Sequence, residues 1–144
     1  MSQFSLVAMG GTFDIIHRGH ITLLSNAFEI SDKVIIGLTS DEFAQKRGKT
    51  LINNYETRLA NLTETIFKEF PKSSFQISKL DSEFGPAVLE PEVQALVVSD
   101  ETSSQGDVLN DLRSKKNLSP VEIVTVPMHL SNSLKTQVQA KQVP

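Results

Sequence analysis

Five short apolar runs, separated by segments of helical spacing, limit the fold of this chain more than any other feature. They are "FSLVAM" (Phe4–Met9), "KVIIGLT" (Lys33–Thr39), "SFQISKL" (Ser74–Leu80), "ALVVS" (Ala95–Ser99) and "VEIVTV" (Val121–Val126). Runs of this length, most of them rich in Val and Ile, read as buried strands. After the first run, Ile21, Leu24 and Phe28 recur at helical spacing over Arg18–Ile30. After the second, Tyr55, Leu59, Leu62, Ile66 and Phe70 form one stripe over Asn54–Phe70, stopped by Pro71. A further helix is predicted near Gly106–Lys116. The stretch "DSEFGPAVLEPE" (Asp81–Glu92), with Gly85, Pro86 and Pro91, reads as a loop with at most one helical turn. This alternation predicts an α/β fold, a doubly wound parallel sheet of five strands covered by helices on both faces, in a single domain over residues 1–144. Past Pro127 the pattern fades to a helical hint after Ser133.

Composition removes several functions. With no cysteine among 144 residues, disulfides, thiolate metal sites and a cysteine nucleophile are excluded. No apolar run approaches the roughly 18 residues of a membrane span, so a cytoplasmic protein with no membrane partner is expected. A net charge of −3 argues against nucleic acid as a partner. A small polyanion would need cations gathered locally, and "QKRGK" (Gln45–Lys49) places three in five residues. That run is either a solvated loop or an anion contact.

The chemistry concentrates where the first run meets the first helix, in "AMGGTFDIIHRGHITLL" (Ala8–Leu24). Ligands of doubly wound sheets bind beyond the carboxyl ends of the strands, and Gly10 and Gly11 sit at that end of the first. Without side chains they let a ligand approach the backbone. The helix that follows offers free N–H groups and the positive end of its dipole to an anion. His17 and His20, three apart, share a face of its first turn and can donate to phosphate oxygens. Neither GxGxxG nor GxxxxGK[ST] is present. A zinc site at the pair would need further ligands, and only His129 and scattered carboxylates could supply them. Asp14 caps the helix start or braces the turn.

"GGTFDIIHRGH" resembles the signature of the nucleotidyltransferase superfamily, GTFD followed by HxGH, whose fold is Rossmann-like. Three further stretches, "AFEISDKVIIGLTSDEFAQKRGK", "NYETRLANL" and "VVSDETSSQGDVLNDLRSKKNLSPVEIVTV", resemble phosphopantetheine adenylyltransferases of the archaeal and eukaryotic type. The likeness covers about Phe4 to Val126. It implies transfer of the AMP part of ATP to 4′-phosphopantetheine, giving dephospho-coenzyme A and pyrophosphate in coenzyme A biosynthesis. The same first motif also serves transfer onto flavin mononucleotide or other phosphates, and a non-catalytic nucleotide-binding regulatory module is the remaining alternative. Magnesium is implied by the ATP chemistry, held by phosphates and water with no dedicated carboxylate cage, and a monomer is expected.

The resemblance also assigns residues. His17, His20 and Lys46 are the catalytic candidates, with His20 the main transition-state donor and Lys46, ahead of Lys49, the bridging cation. Contacts to ATP are expected from Gly10, Gly11, Thr12, Phe13, Ser99, Glu101, Asn110, Arg113 and Thr136. Thr12, Lys49 and Arg58 are expected at the phosphopantetheine phosphate, Arg58 lying either toward substrate or in solvent. The C-terminal segment departs from the family, which carries a stretch close to Ile-Ser-Ser-Thr-Arg-Ile-Arg. Here "NSLKTQVQAKQVP" aligns Thr136 with the threonine but places Gln137 and Gln139 where arginines belong, and no arginine follows Arg113. Loss of a charge-assisted contact costs about 1.5–3 kcal/mol, which Lys135 or Lys141 could offset.

Overall fold

The computed structural model describes residues 3–82, 84–85, 90–99 and 105–127. In chain order these form β1 (Phe4–Gly11), α1 (Arg18–Ile30), β2 (Ser31–Thr39), α2 (Asp41–Lys46), α3 (Tyr55–Glu69), β3 (Phe75–Leu80), β4 (Ala95–Ser99), α4 (Gln105–Lys115) and β5 (Glu122–Val126). The strands make one sheet in the order β3-β2-β1-β4-β5, with every neighbouring pair parallel. From β1 the chain steps outward through β2 to β3, then returns to the other side of β1 for β4 and β5. The reversal lies between β1 and β4, where an open α/β sheet leaves a crevice at its carboxyl end.

Each central strand feeds both layers of the core, because successive side chains point to opposite faces. Val7, Met9, Val34, Ile36 and Val97 face α1 and α3, packing against Leu24, Leu62 and Ile66. Ala8, Ile35, Leu96 and Val98 face the opposite way and pack with Leu109 of α4, Phe84 and Val93. The expected fold class and five strands are present. The first strand runs two residues further than expected, to Gly11, so the glycine pair closes the strand rather than following it. In the ladder Gly10 lies beside Gly37, and Leu80 covers both. A Cβ on Gly37 would stand 2.6 Å from the Leu80 side chain.

One helix was not legible as such. The α2 segment is six residues long, too short to show a stripe. Its start is nonetheless encoded: the Phe43 N–H donates to Ser40 Oγ at 3.0 Å, and Asp41 and Glu42 fill the first turn.

The expectation that Asn110 and Arg113 lie near a nucleotide is corrected by the direction of α4. The helix starts at Gln105, at the carboxyl end of the sheet, and runs back toward the amino ends of the strands. Asn110 there grips the start of β5, its Oδ1 accepting from the Val121 N–H at 2.7 Å and its Nδ2 donating to the Val121 carbonyl at 3.0 Å. Arg113, 1% exposed, donates to the Ser119 and Glu90 carbonyls at 2.8 and 3.0 Å. Both residues fasten the far end of the sheet. Asn110→Ala is therefore expected to lower the unfolding free energy by about 1–3 kcal/mol, the cost of leaving partly buried backbone groups unpaired. Urea denaturation measures that loss, and isothermal calorimetry should find ATP affinity unchanged.

Candidate functional site

A cavity of about 520 Å³ opens beyond the carboxyl ends of β1, β2 and β4. Among its lining residues, Gly10, Gly11, Thr12, Phe13, His20, Lys49 and Ser99 come from the set expected from the sequence. Glu101 and Thr136 lie outside the described residues, as do His129, Lys135 and Lys141.

The floor is backbone. Phe13 takes a left-handed conformation with φ of 49°, a strain of about 1–3 kcal/mol for a bulky residue. Burial holds it there: its ring is 1% exposed in the core and lies 4.9 Å from the His20 ring. Gly11 makes this possible, since a Cβ on it would meet Phe13 Cε2 at 3.0 Å. Asp14 settles between its two expected roles as a brace. Its carboxylate accepts from the Ile52 and Asn53 N–H groups at 2.8 and 2.9 Å, and its carbonyl accepts from Asn53 Nδ2 at 2.9 Å. Those bonds hold its carboxyl below the ordinary carboxylate range.

The cap of α1 is built from imidazoles. His17 is the N-cap, its Nδ1 accepting from the Gly19 N–H at 3.1 Å. His20 returns the bond, its Nδ1 accepting from the His17 N–H at 3.2 Å. This is a capping box in which histidines occupy both places usually taken by Ser or Thr and by Glu. The rings stack with centroids 4.0 Å apart. A neutral ring that accepts at Nδ1 carries its proton on Nε2. Each ring is thereby left with Nε2–H as its donor, and of the two His20 lines the cavity while His17 lies outside the lining. Burial, then the neighbouring His17 and Lys49, push the His20 pKa down to about 4, so at neutral pH it is an uncharged donor. The sequence places His20 purely at the ligand; the structure adds a structural share, because removing it opens the cap.

The two candidate lysines separate. Lys49 lines the cavity, and its Nζ donates to Thr12 Oγ1 at 3.2 Å. Lys46, the first choice from sequence, ends α2 outside the lining. Arg47 lies between them and does line the cavity, its guanidinium 5.6 Å from the Phe43 ring centroid. Charge in "QKRGK" was the available signal for it, but not that Arg47 and Lys49 line the cavity and Lys46 does not.

Arg58 is neither in solvent nor in the cavity lining. It is 0% exposed, donating through Nη1 to the Thr12 and Thr39 carbonyls, each at 2.8 Å, and through Nε to the Asn53 carbonyl at 3.1 Å. Its Nη2 meets Asp41 Oδ1 at 2.7 Å, and this guanidinium holds the Asp41 carboxyl below its ordinary range. The expectation of a substrate contact fails because these protein acceptors take up the guanidinium. Asn53 and Asp41, which complete that network, were not singled out from the sequence. Among the described residues no three His, Asp or Glu gather as a metal cluster, and no helix is long and apolar enough to cross a membrane.

The cytidylyltransferase-like family matches residues 8–141 of the chain. Phosphopantetheine adenylyltransferase of Methanosarcina acetivorans is 46% identical over 83% of this chain and 77% of its own length. The enzyme of the same name from Pyrobaculum aerophilum is 37% identical over 86% of this chain and 80% of its own length. Among solved structures, a protein of unknown function from Archaeoglobus fulgidus superposes with a TM-score of 0.77 at 27% identity, covering 89% of this chain and 93% of that one.

The His20 shift fixes a pH dependence. Between pH 6.5 and about 4 the unfolded chain takes up a proton at this ring that the folded chain refuses. The contribution to stability is thus complete above pH 6.5 and declines as the pH falls toward 4. Urea unfolding should show wild type losing more stability between pH 7.5 and 5 than His20→Gln does. Equal losses would contradict the assignment.

Proposed function

The chain belongs to the cytidylyltransferase-like family, and we propose that its reaction is that of its phosphopantetheine adenylyltransferase relatives, transfer of the adenylyl group of ATP to 4′-phosphopantetheine. What carries this reading in the structure is the cavity that brings His20 and Lys49 together with the backbone of the Gly10–Phe13 turn.

The acceptor is a phosphate monoester, already largely dianionic at neutral pH because its second pKa is near 6. One of its oxygens attacks the α-phosphorus of ATP in line. The new P–O bond forms as the bond to the β-phosphate oxygen breaks, and pyrophosphate leaves with that electron pair. No protein nucleophile is required, which suits a chain with no cysteine. The protein's task is to align two anions that repel each other and to meet charge as it develops. Thr12 Oγ1 and Lys49 hold the acceptor phosphate against the α-phosphate. His20 donates from Nε2 to the phosphoryl oxygens in the transition state, and His17, exposed beside it and outside the cavity lining, donates to the β- and γ-phosphates. Of the two lysines, Lys49 is the bridging cation, since its ammonium already stands on Thr12. Magnesium carried by ATP would offset triphosphate charge, and phosphates and water would hold it, since among the described residues no three His, Asp or Glu gather to do so.

Following pyrophosphate release with ATP, magnesium and 4′-phosphopantetheine tests the reading. Turnover is expected with that acceptor; turnover with flavin mononucleotide alone, or ATP binding with no product from any acceptor, would reject it. His20→Ala should lower kcat by roughly 10²-fold or more, the scale of one preorganised donor. Lys49→Met should lower kcat/KM more than Lys46→Met does, and the reverse order would return the bridging role to Lys46.

A further inference from the structure

The buried Arg58 asks for an explanation beyond stability. Taking a guanidinium fully out of water is costly, and a buried ion pair is often matched or bettered by apolar residues of similar volume. This one pairs with Asp41, and its other bonds reach carbonyls of three segments that border the cavity. Thr12 follows β1, Thr39 closes β2, and Asn53 lies just after the Lys49 loop.

The Thr12 carbonyl is the informative partner. In a planar trans peptide the C=O and the following N–H point in opposite directions. With the Thr12 carbonyl held on Nη1 at 2.8 Å, the Phe13 N–H points away from Arg58. Phe13 lines the cavity, and among the described residues no acceptor meets its N–H. Its backbone is left-handed, with φ of 49°. Arg58 also takes the Asn53 carbonyl, while Asn53 and Ile52 are tied by their N–H groups to Asp14. One side chain thus spans the turn after β1 and the base of the loop that carries Lys49.

We propose that Arg58 is a positioning residue: through the Thr12 carbonyl it aims the Phe13 N–H into the cavity, and through Asn53 it sets the spacing between that N–H and Lys49. The inference rests on reading the cavity as a polyphosphate site. It differs from a substrate contact, since Arg58 touches no ligand, and from simple stability, since its loss acts on the direction of one amide.

Amide NMR with inorganic tripolyphosphate as the probe, together with turnover, tests this on the full chain. In wild type the Phe13 amide proton should move downfield as tripolyphosphate is added. In Arg58→Lys, which keeps the charge but cannot reach several carbonyls at once, that movement should fall by at least half and kcat by at least tenfold. Ile66→Ala is the control: it opens a core cavity in the same helix, away from the site, and should leave both readouts near wild type. If Arg58→Lys does not fold, Asp41→Asn, which removes the charged partner of Arg58 Nη2, should show a smaller loss of both. An Arg58→Lys or Asp41→Asn protein that behaves like Ile66→Ala in both readouts would overturn the proposal. A wild-type Phe13 response without turnover would count against the reaction and leave the positioning role standing. Turnover with a silent Phe13 amide would do the opposite.

Discussion

The site depends on how α1 satisfies its own first turn. A helix start leaves backbone N–H groups without intrahelical partners, and side chains usually meet that need with an oxygen. Here two imidazoles do so, each spending its Nδ1 lone pair on a backbone N–H. The local requirement of the helix therefore decides the chemistry of the rings. With Nδ1 committed, Nε2 must carry the proton, and both rings become Nε2–H donors. Burial and neighbouring positive charge hold His20 neutral. A neutral donor can strengthen its bond as phosphoryl charge grows without first binding the anion as an ion pair.

That corner is useful only if the backbone beside it is held still. Glycines at 10, 11 and 37 let Leu80 and the Phe13 ring pack where side chains would collide. The Phe13 backbone is strained, and the strain is held by a buried ring on one side and by Arg58 on the other. Asp14 then ties the same turn to residues 52 and 53. The Lys49 loop and the glycine turn thus share one network of hydrogen bonds, although they are far apart in sequence.

What could be read in the sequence follows from the range of the interactions involved. Strands and long helices are written in periodic patterns, so all five strands, α1 and α3 were legible to within two residues or so. The α2 helix was not, because six residues cannot display a stripe and only its Ser40 cap marks it. At the site, Gly10, Gly11, Thr12 and His20 belong to one contiguous motif whose geometry is local. The misplaced residues are those whose direction depends on distant partners. Arg58 turns inward because the Thr12 and Thr39 carbonyls and Asp41 await it, and Arg113 because Ser119 and Glu90 do. Nothing near either arginine in the chain announces that. The charge run likewise put Lys46 ahead of Lys49, whereas the turn after α2 places Lys49 in the cavity lining and leaves Lys46 outside it.

The most direct test is a crystal structure with magnesium and a non-hydrolysable ATP analogue. The account requires the triphosphate to lie over the Gly10–Phe13 backbone, with Nε2 of both His17 and His20 within about 3.2 Å of phosphate oxygens. A triphosphate bound elsewhere, or both rings turned away toward aliphatic neighbours with the corner empty, would contradict it.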